Sequence, residues 1–138
     1  MMRGKKTGIW LGIIQAFVAM GAIPAGLSMI FDPSGNGIGI STEILVESPF
    51  RNFFIPGIFL FVINGLFNIL GAFFSFSKNK YAGVLGLGLG ILLVIWICIQ
   101  VYITGLIHFL QPLFFTIGII EIILSYKYAY KAKSKSIE

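Results

Sequence analysis

Four polar side chains interrupt long apolar runs, and they are the residues best placed to do chemistry. Gln15, Asn64, Asn68 and Glu121 each lie inside a stretch that is otherwise apolar. Ionisable groups in such segments are costly and usually face a bundle interior or a water-filled cavity. A carboxylate among amides could bind a proton or a cation, or hold a polar lipid headgroup. The structural alternative is that Glu121 extends toward Lys127 at the membrane interface while the amides join helices.

Three of these residues, Gln15, Asn68 and Glu121, are predicted to share one depth. At about 1.5 Å per helical residue, Gln15 lies about 10 Å from the basic end of its segment, Asn68 about 12 Å and Glu121 about 8 Å. Asn64 falls one turn from Asn68 on the same helix face. The sequence therefore predicts an intramembrane polar cluster of Gln15, Asn64, Asn68 and Glu121.

A second polar set lies at the opposite ends of the apolar runs: Asp32, Arg51, Gln100, Thr104, His108 and Gln111. Gln100, Thr104 and His108 recur every four residues, so they share a face if one helix continues that far. An imidazole beside carboxylates could shuttle protons or bind a cation. The structural alternative is interfacial hydrogen bonding, with Asp32 and Arg51 forming an exposed ion pair that contributes little stability.

The composition identifies the class of protein. Of the 138 residues, 57% are hydrophobic and 11% are charged, whereas soluble domains average roughly 45–50% apolar and about 25% charged residues. A soluble domain, a disordered chain and a nucleic-acid-binding module are therefore excluded. With a single cysteine, Cys98, and a single histidine, the sequence predicts no disulfide, no metal site and no cofactor.

Four apolar runs are long enough to cross the hydrocarbon core as helices, which takes about 20 residues each. Backbone groups in lipid must be hydrogen-bonded within the segment, so helices are expected. The short connections predict an all-α, four-helix transmembrane bundle with up-down-up-down topology. A single membrane domain, 1–138, would then contain spans at about 8–30, 53–76, 82–104 and 107–126, an external loop at 31–52 and a basic tail at 127–138.

The cations predict the orientation of the bundle. Nine of the ten lie at one end of the spans: Arg3, Lys5, Lys6, Lys78, Lys80, Lys127, Lys131, Lys133 and Lys135. The positive-inside rule places that end, and both termini, in the cytoplasm of a cell with the protein in its cytoplasmic membrane. A cleaved signal peptide over residues 1–21 is the alternative, but the apolar run continues without a polar break to Ile30.

Small residues recur at helical spacing in the spans. Gly86 and Gly90 lie inside an apolar segment, so close helix packing is expected there rather than a phosphate-binding loop. The same prediction applies to the pairs Gly8–Gly12 and Ala22–Gly26. Among the larger side chains, Cys98 is expected to pack as a small apolar group, Trp10 to anchor at the interface, and Trp96 to pack within the bundle or against a ligand.

Several short motifs, spread over residues 20–120, resemble those of a known family. They are Pro24-Ala25-Gly26-Leu27, Asp32-Pro33-Ser34-Gly35, Ser48-Pro49-Phe50, Pro56-Gly57 and Gln111-Pro112. The pattern resembles a family of uncharacterised small four-span integral membrane proteins of bacteria and archaea. The resemblance implies the four-span architecture and implies no activity or catalytic residue.

Three functions remain open from the sequence. The first is a non-catalytic accessory or interaction subunit, with membrane lipids and a second copy or another membrane protein as partners. The second is a minimal proton- or cation-coupled transporter that uses Glu121. The third is a membrane enzyme that acts on a lipid or quinone, although no paired carboxylates or nucleophile–base set support it.

Overall fold

The computed structural model describes residues 2–46, 48–106 and 109–137, and helices dominate these ranges. Four long helices follow one another along the chain: α1 (Met2–Phe31), α2 (Phe54–Phe76), α3 (Ala82–Thr104) and α4 (Leu110–Ile137). No strand occurs in the described ranges. The predicted all-α class is confirmed.

All four helices are long and apolar enough to cross a membrane, over the segments Lys6–Phe31, Phe54–Phe76, Ala82–Thr104 and Leu110–Tyr130. Large apolar side chains cover the outside of the bundle; Met20 is 75% exposed and Tyr102 is 91% exposed. Such a surface suits hydrocarbon rather than water. The chain therefore has the architecture of a small multi-pass membrane protein.

The fourth helix differs most from its predicted bounds. It begins at Leu110 rather than near 107, and it continues to Ile137 instead of ending near Tyr126. Gly105, with φ of 78°, ends α3 in a conformation that favours glycine. The basic segment after Tyr126 continues the helix because its lysines and alanines are good helix formers.

The helix α2 changes its hydrogen-bonding pattern in its middle. Two α-helical segments, Phe54–Phe59 and Phe67–Phe76, flank a π-helical segment, Leu60–Leu66. The backbone N–H of Phe67 donates to the carbonyl of Val62, five residues earlier. Such wide turns are rare and often occur at functional sites. Asn64 lies within this π-helical segment.

Consecutive helices run antiparallel and approach closely at glycines. A Cβ on Gly26 would lie 2.7 Å from the backbone N of Phe61, and one on Gly57 would lie 2.6 Å from the Cβ of Met29. The backbones of α1 and α2 are therefore too close for a side chain at either glycine. Between α3 and α4, a Cβ on Gly90 would lie 3.0 Å from the backbone N of Ile122. The predicted packing role of the glycines is confirmed.

The connection between α1 and α2 begins with a tight turn. The carboxylate of Asp32 accepts hydrogen bonds from the backbone N–H and the hydroxyl of Ser34, and Gly35 has a φ of 85° that glycine adopts readily. At its other end, the N–H of Phe53 donates to the carbonyl of Pro33 at 2.9 Å. This bond brings the two ends of the connection together.

The rest of the connection covers one end of the bundle. A short 3-10 helix, Thr42–Leu45, is capped by Ser41, whose hydroxyl accepts the N–H of Glu43 at 3.2 Å. Leu45 is buried in one apolar cluster with Phe53 and with Met29 of α1. The connection is therefore anchored by apolar contacts.

The central apolar core surrounds Trp96. Its indole ring stacks on Phe59 with ring centroids 4.7 Å apart, and it packs with Val18, Leu93 and Ile117. This position agrees with the expected burial of Trp96, and Trp10 is 60% exposed, as an interfacial anchor requires. Cys98, by contrast, is exposed, so its predicted packing inside the bundle is wrong. It follows the buried Ile97 on α3, and a helix turns by about 100° at each residue.

Candidate functional site

Gln15 joins three helices inside the bundle. Its Nε2 donates to Oε2 of Glu121 at 3.3 Å, and its Oε1 accepts the hydroxyl of Ser75 at 2.7 Å. Gln15 and Glu121 have no exposed surface, and Ser75 is 1% exposed. The carboxyl group of Glu121 therefore faces the bundle interior instead of extending toward Lys127. The predicted approach of Gln15 and Glu121 is observed.

Small residues make room for this polar contact. A Cβ on Gly71 of α2 would lie 2.7 Å from Nε2 of Gln15, and a Cβ on Gly86 of α3 would lie 3.1 Å from the same atom. A Cβ on Gly86 would also collide with the hydroxyl of Ser125, which is fully buried one turn after Glu121. The long Gln15 side chain thus fits only because two facing positions are glycine. We call Gln15, Ser75, Glu121 and Ser125 the inner polar cluster.

The two asparagines of α2 do not join the inner polar cluster. Asn64 and Asn68 are fully buried as predicted, but Nδ2 of Asn68 donates to the backbone carbonyl of Asn64 at 3.0 Å. In the structure as described, neither amide hydrogen-bonds Gln15 or Glu121. Of the four predicted residues, the structure therefore joins only Gln15 and Glu121 by a side-chain hydrogen bond, while Nδ2 of Asn68 is paired within its own helix.

Several buried polar atoms have no hydrogen-bond partner in the described part of the chain. They are both amide atoms of Asn64, Oδ1 of Asn68, Nε1 of Trp96, Oε1 of Glu121 and Oγ of Ser125. Each such atom costs free energy, and most buried polar atoms in native structures are paired. Glu121 and Ser125 lie on α4, Asn64 and Asn68 on α2, and Trp96 on α3.

Part of the second predicted set comes together where α3 ends and α4 begins. The hydroxyl of Thr104 donates to the backbone carbonyl of Gln100 at 2.8 Å, and Nε2 of Gln111 donates to the Thr104 hydroxyl at 3.4 Å. The shared face with His108 depended on α3 continuing that far, and α3 ends at Thr104. His108 itself lies outside the described residues.

The other two residues of that set remain apart. The carboxylate of Asp32 is engaged by Ser34 within its own turn, and Arg51 is exposed. In the described structure Asp32 and Arg51 form no ion pair, in contrast to the structural alternative considered from the sequence. The turn satisfies the Asp32 carboxylate locally. Among the described residues, no three His, Cys, Asp or Glu side chains are grouped as a metal site would require.

A cavity of about 640 Å³ lies between the four helices and beneath the connection between α1 and α2, residues 32–53. We call it the loop-side cavity. Its lining is largely apolar, with residues such as Val18, Ala22, Met29, Leu45, Phe53, Leu60, Leu93, Ile97 and Phe114. Polar side chains enter at two places: Gln100, Thr104 and Gln111 near the connection, and Asn64 with Trp96 at the deep end. Its volume is in the range of pockets that enclose drug-sized ligands.

The sequence did not predict the loop-side cavity or the serines of the inner polar cluster. Ser125 could have been found from its spacing, because it follows Glu121 by four residues and shares its face. Ser75 likewise follows Asn68 by seven residues, which is two helical turns. The cavity has no local sequence signal, since its lining comes from all four helices and the connection.

Comparison with known proteins gives no relative. No protein-family model matches the chain, and neither a curated protein nor a solved structure is similar to it. The resemblance to the small four-span family therefore stays a prediction.

Proposed function

We propose that this chain is a non-catalytic membrane protein that binds a lipid-like ligand in the loop-side cavity and acts as an accessory subunit. The observation that carries this proposal is the cavity itself, a space of about 640 Å³ lined by four helices and the connection between α1 and α2. Apolar pockets with a few placed polar groups are the usual form of small-molecule sites. Membrane lipids, and a second copy or another membrane protein, are the partners proposed with it.

The chemistry of the lining supports binding over catalysis. The described residues around the cavity offer amides, one threonine hydroxyl and an indole N–H, with no ionisable side chain among them. Such groups orient a ligand by hydrogen bonds but do not supply a nucleophile or an acid–base pair. A lipid- or quinone-directed enzyme is for this reason the weaker proposal.

Filling the cavity is expected to abolish ligand binding. Ala22 lines the cavity on α1 and is 5% exposed, so the ring of Ala22→Phe would occupy ligand space. The probes are oleamide and methyl oleate, two neutral amphiphiles with the same chain. Either probe should raise the Tm of the wild-type protein in detergent by several degrees, since ligands stabilise the state that binds them.

The matched control is Met20→Phe on the same helix, because Met20 points outward and is 75% exposed. This variant should keep the probe-induced rise in Tm, whereas Ala22→Phe should lose it. If neither probe stabilises the wild-type protein, or if Ala22→Phe responds as fully as Met20→Phe, the proposed function is wrong.

For orientation, we propose that both termini and the basic helix ends face the cytoplasm of the cell. The support is the charge asymmetry, with nine of the ten cations at that end. In a Cys98→Ser background, Ser41→Cys is expected to react with an impermeant thiol reagent in intact cells. Ser134→Cys should react only after permeabilisation. The reverse pattern of labelling would overturn this orientation.

The second candidate function is a proton- or cation-coupled transporter that uses Glu121. One observation favours it: Oε1 of this buried carboxyl group has no hydrogen-bond partner in the described structure. Glu121 does not line the loop-side cavity, however, and its surroundings are tightly packed. Ion- or proton-driven uptake into proteoliposomes that disappears in Glu121→Gln would support a transporter, and a wild-type protein without such uptake would argue against it.

A further inference from the structure

The deep end of the loop-side cavity carries two side chains whose hydrogen-bonding groups are unused. Asn64 has no exposed surface, and both its Nδ2 and its Oδ1 lack a partner in the described structure. Trp96 is 9% exposed, and its Nε1 also lacks a partner there. Both residues line the cavity. Two residues that line the cavity thus carry three polar atoms that a ligand group could pair with.

The three atoms define the chemistry of that group. The asparagine side chain offers an NH₂ donor group next to a carbonyl acceptor, and the indole N–H offers one more donor. The complement is a carbonyl oxygen adjacent to an N–H or O–H, as found in a primary carboxamide or a neutral carboxylic acid. An ester or a ketone supplies the acceptor alone and would leave Oδ1 of Asn64 unpaired.

The charge of the surroundings favours a neutral head. No described residue that lines the cavity carries a charge, and an ionised headgroup without a counter-charge is strongly disfavoured in an apolar site. A carboxylate would also face Oδ1 of Asn64, an acceptor that repels it. The lining therefore suits an uncharged head.

The polar groups near the connection are less suited to hold the head. The Thr104 hydroxyl already donates to the backbone carbonyl of Gln100 and accepts from the side-chain amide of Gln111. Between these groups and Asn64 the wall is apolar, with residues such as Leu60, Leu93 and Ile97. This arrangement suits a hydrocarbon chain that extends from the deep end toward the connection.

We propose that the ligand is a long-chain amphiphile whose neutral carboxamide or carboxylic acid head is hydrogen-bonded by Asn64 and Trp96, with its chain directed toward the 32–53 connection. This inference rests on the proposed function, since it names the class of ligand for the same cavity. A fatty amide and a fatty acid in its neutral form share this chemistry, and an ester of the same chain does not.

The test compares oleamide with methyl oleate on the purified wild-type protein, using the Kd of each from a titration at one detergent concentration. Oleamide is expected to bind about tenfold more tightly, because each additional satisfied hydrogen bond contributes about one power of ten in affinity. Oleic acid is measured alongside it, to show whether the acid or the amide is the better source of the head. Binding of the acid well below that of the ester would restrict the ligand to amides.

Two variants test whether Asn64 and Trp96 cause the preference for oleamide over methyl oleate. Asn64→Leu should remove the tenfold difference by weakening oleamide more than methyl oleate, because only oleamide has an N–H to pair with Oδ1 of Asn64. Trp96→Phe should reduce the difference while keeping the ring that stacks on Phe59. The control is Asn68→Leu, which changes an equally buried amide that does not line the cavity. It should keep the full preference for oleamide. Trp96→Phe also provides a test if Asn64→Leu does not fold.

The outcomes separate the two proposals. If oleamide and methyl oleate bind the wild-type protein equally, or if Asn64→Leu and Trp96→Phe keep a tenfold preference, the assignment of the head is wrong while the cavity still binds a lipid-like ligand. If neither probe binds the wild-type protein, the proposed function itself fails.

Discussion

Gln15→Leu is expected to lower the free energy of unfolding more than any other single polar change in the bundle. The substitution keeps the size of the side chain but removes the donor to Glu121 and the acceptor for Ser75. Both partners stay fully or almost fully buried. Buried groups deprived of a partner cost about 1–3 kcal/mol each, and more when one can be charged, so the loss should be about 3 kcal/mol or greater.

The measurement is an unfolding titration in mixed micelles, with Glu121→Gln as the matched control. An amide at position 121 can still accept from Nε2 of Gln15, so this variant should unfold within about 1 kcal/mol of the wild-type protein. If Gln15→Leu were as stable as Glu121→Gln, Gln15 would not be joining the helices.

Gly90→Leu is expected to disrupt the contact between α3 and α4. A Cβ at this position would lie 3.0 Å from the backbone N of Ile122 and 3.1 Å from the carbonyl oxygen of Gly118. Backbone atoms cannot move aside as a flexible side chain can, so the helices must separate. Overpacking of this kind typically costs about 1–3 kcal/mol, and the lost contacts along both helices add to it.

Gly88→Leu provides the comparison, two residues away on the same helix. Gly88 is exposed, and a Cβ there would have no atom within 4 Å. Because leucine is a better helix former than glycine by about 1 kcal/mol or less, this variant should be as stable as the wild-type protein or slightly more so. Thermal unfolding in detergent distinguishes the two variants. Equal Tm values for both would show that the Gly90 face does not pack against α4.

The architecture could be predicted from the sequence because the length of its apolar runs restricts the backbone conformation. Four runs of apolar residues near 20 in length leave the backbone no alternative to helices in lipid. The third span was located at its observed bounds, Ala82–Thr104. The fourth helix begins at Leu110 and continues through the basic segment to Ile137, because hydropathy predicted only its apolar part, at about 107–126.

The polar residues were harder to predict because depth alone does not determine contacts. Gln15 and Glu121 meet as expected, since both lie near the basic end of antiparallel helices. Asn68 does not join them, because its amide pairs with the carbonyl of Asn64 in its own helix. The π-helical segment Leu60–Leu66 has no sequence signal that distinguishes it from an α-helix. The loop-side cavity arises from the packing of five segments and could be seen only in three dimensions.

The most direct measurement of ligand binding in the loop-side cavity is photolabelling with an oleamide that carries a diazirine in its chain. After irradiation in detergent, the labelled residues are identified by peptide mass spectrometry, with and without an excess of unlabelled oleamide. We expect saturable labels, removed by the competitor, on cavity residues such as Ile44, Leu93 and Phe114. Labels confined to outward residues such as Met20, Val84 and Tyr102, or labels that the competitor does not reduce, would contradict ligand binding in the cavity.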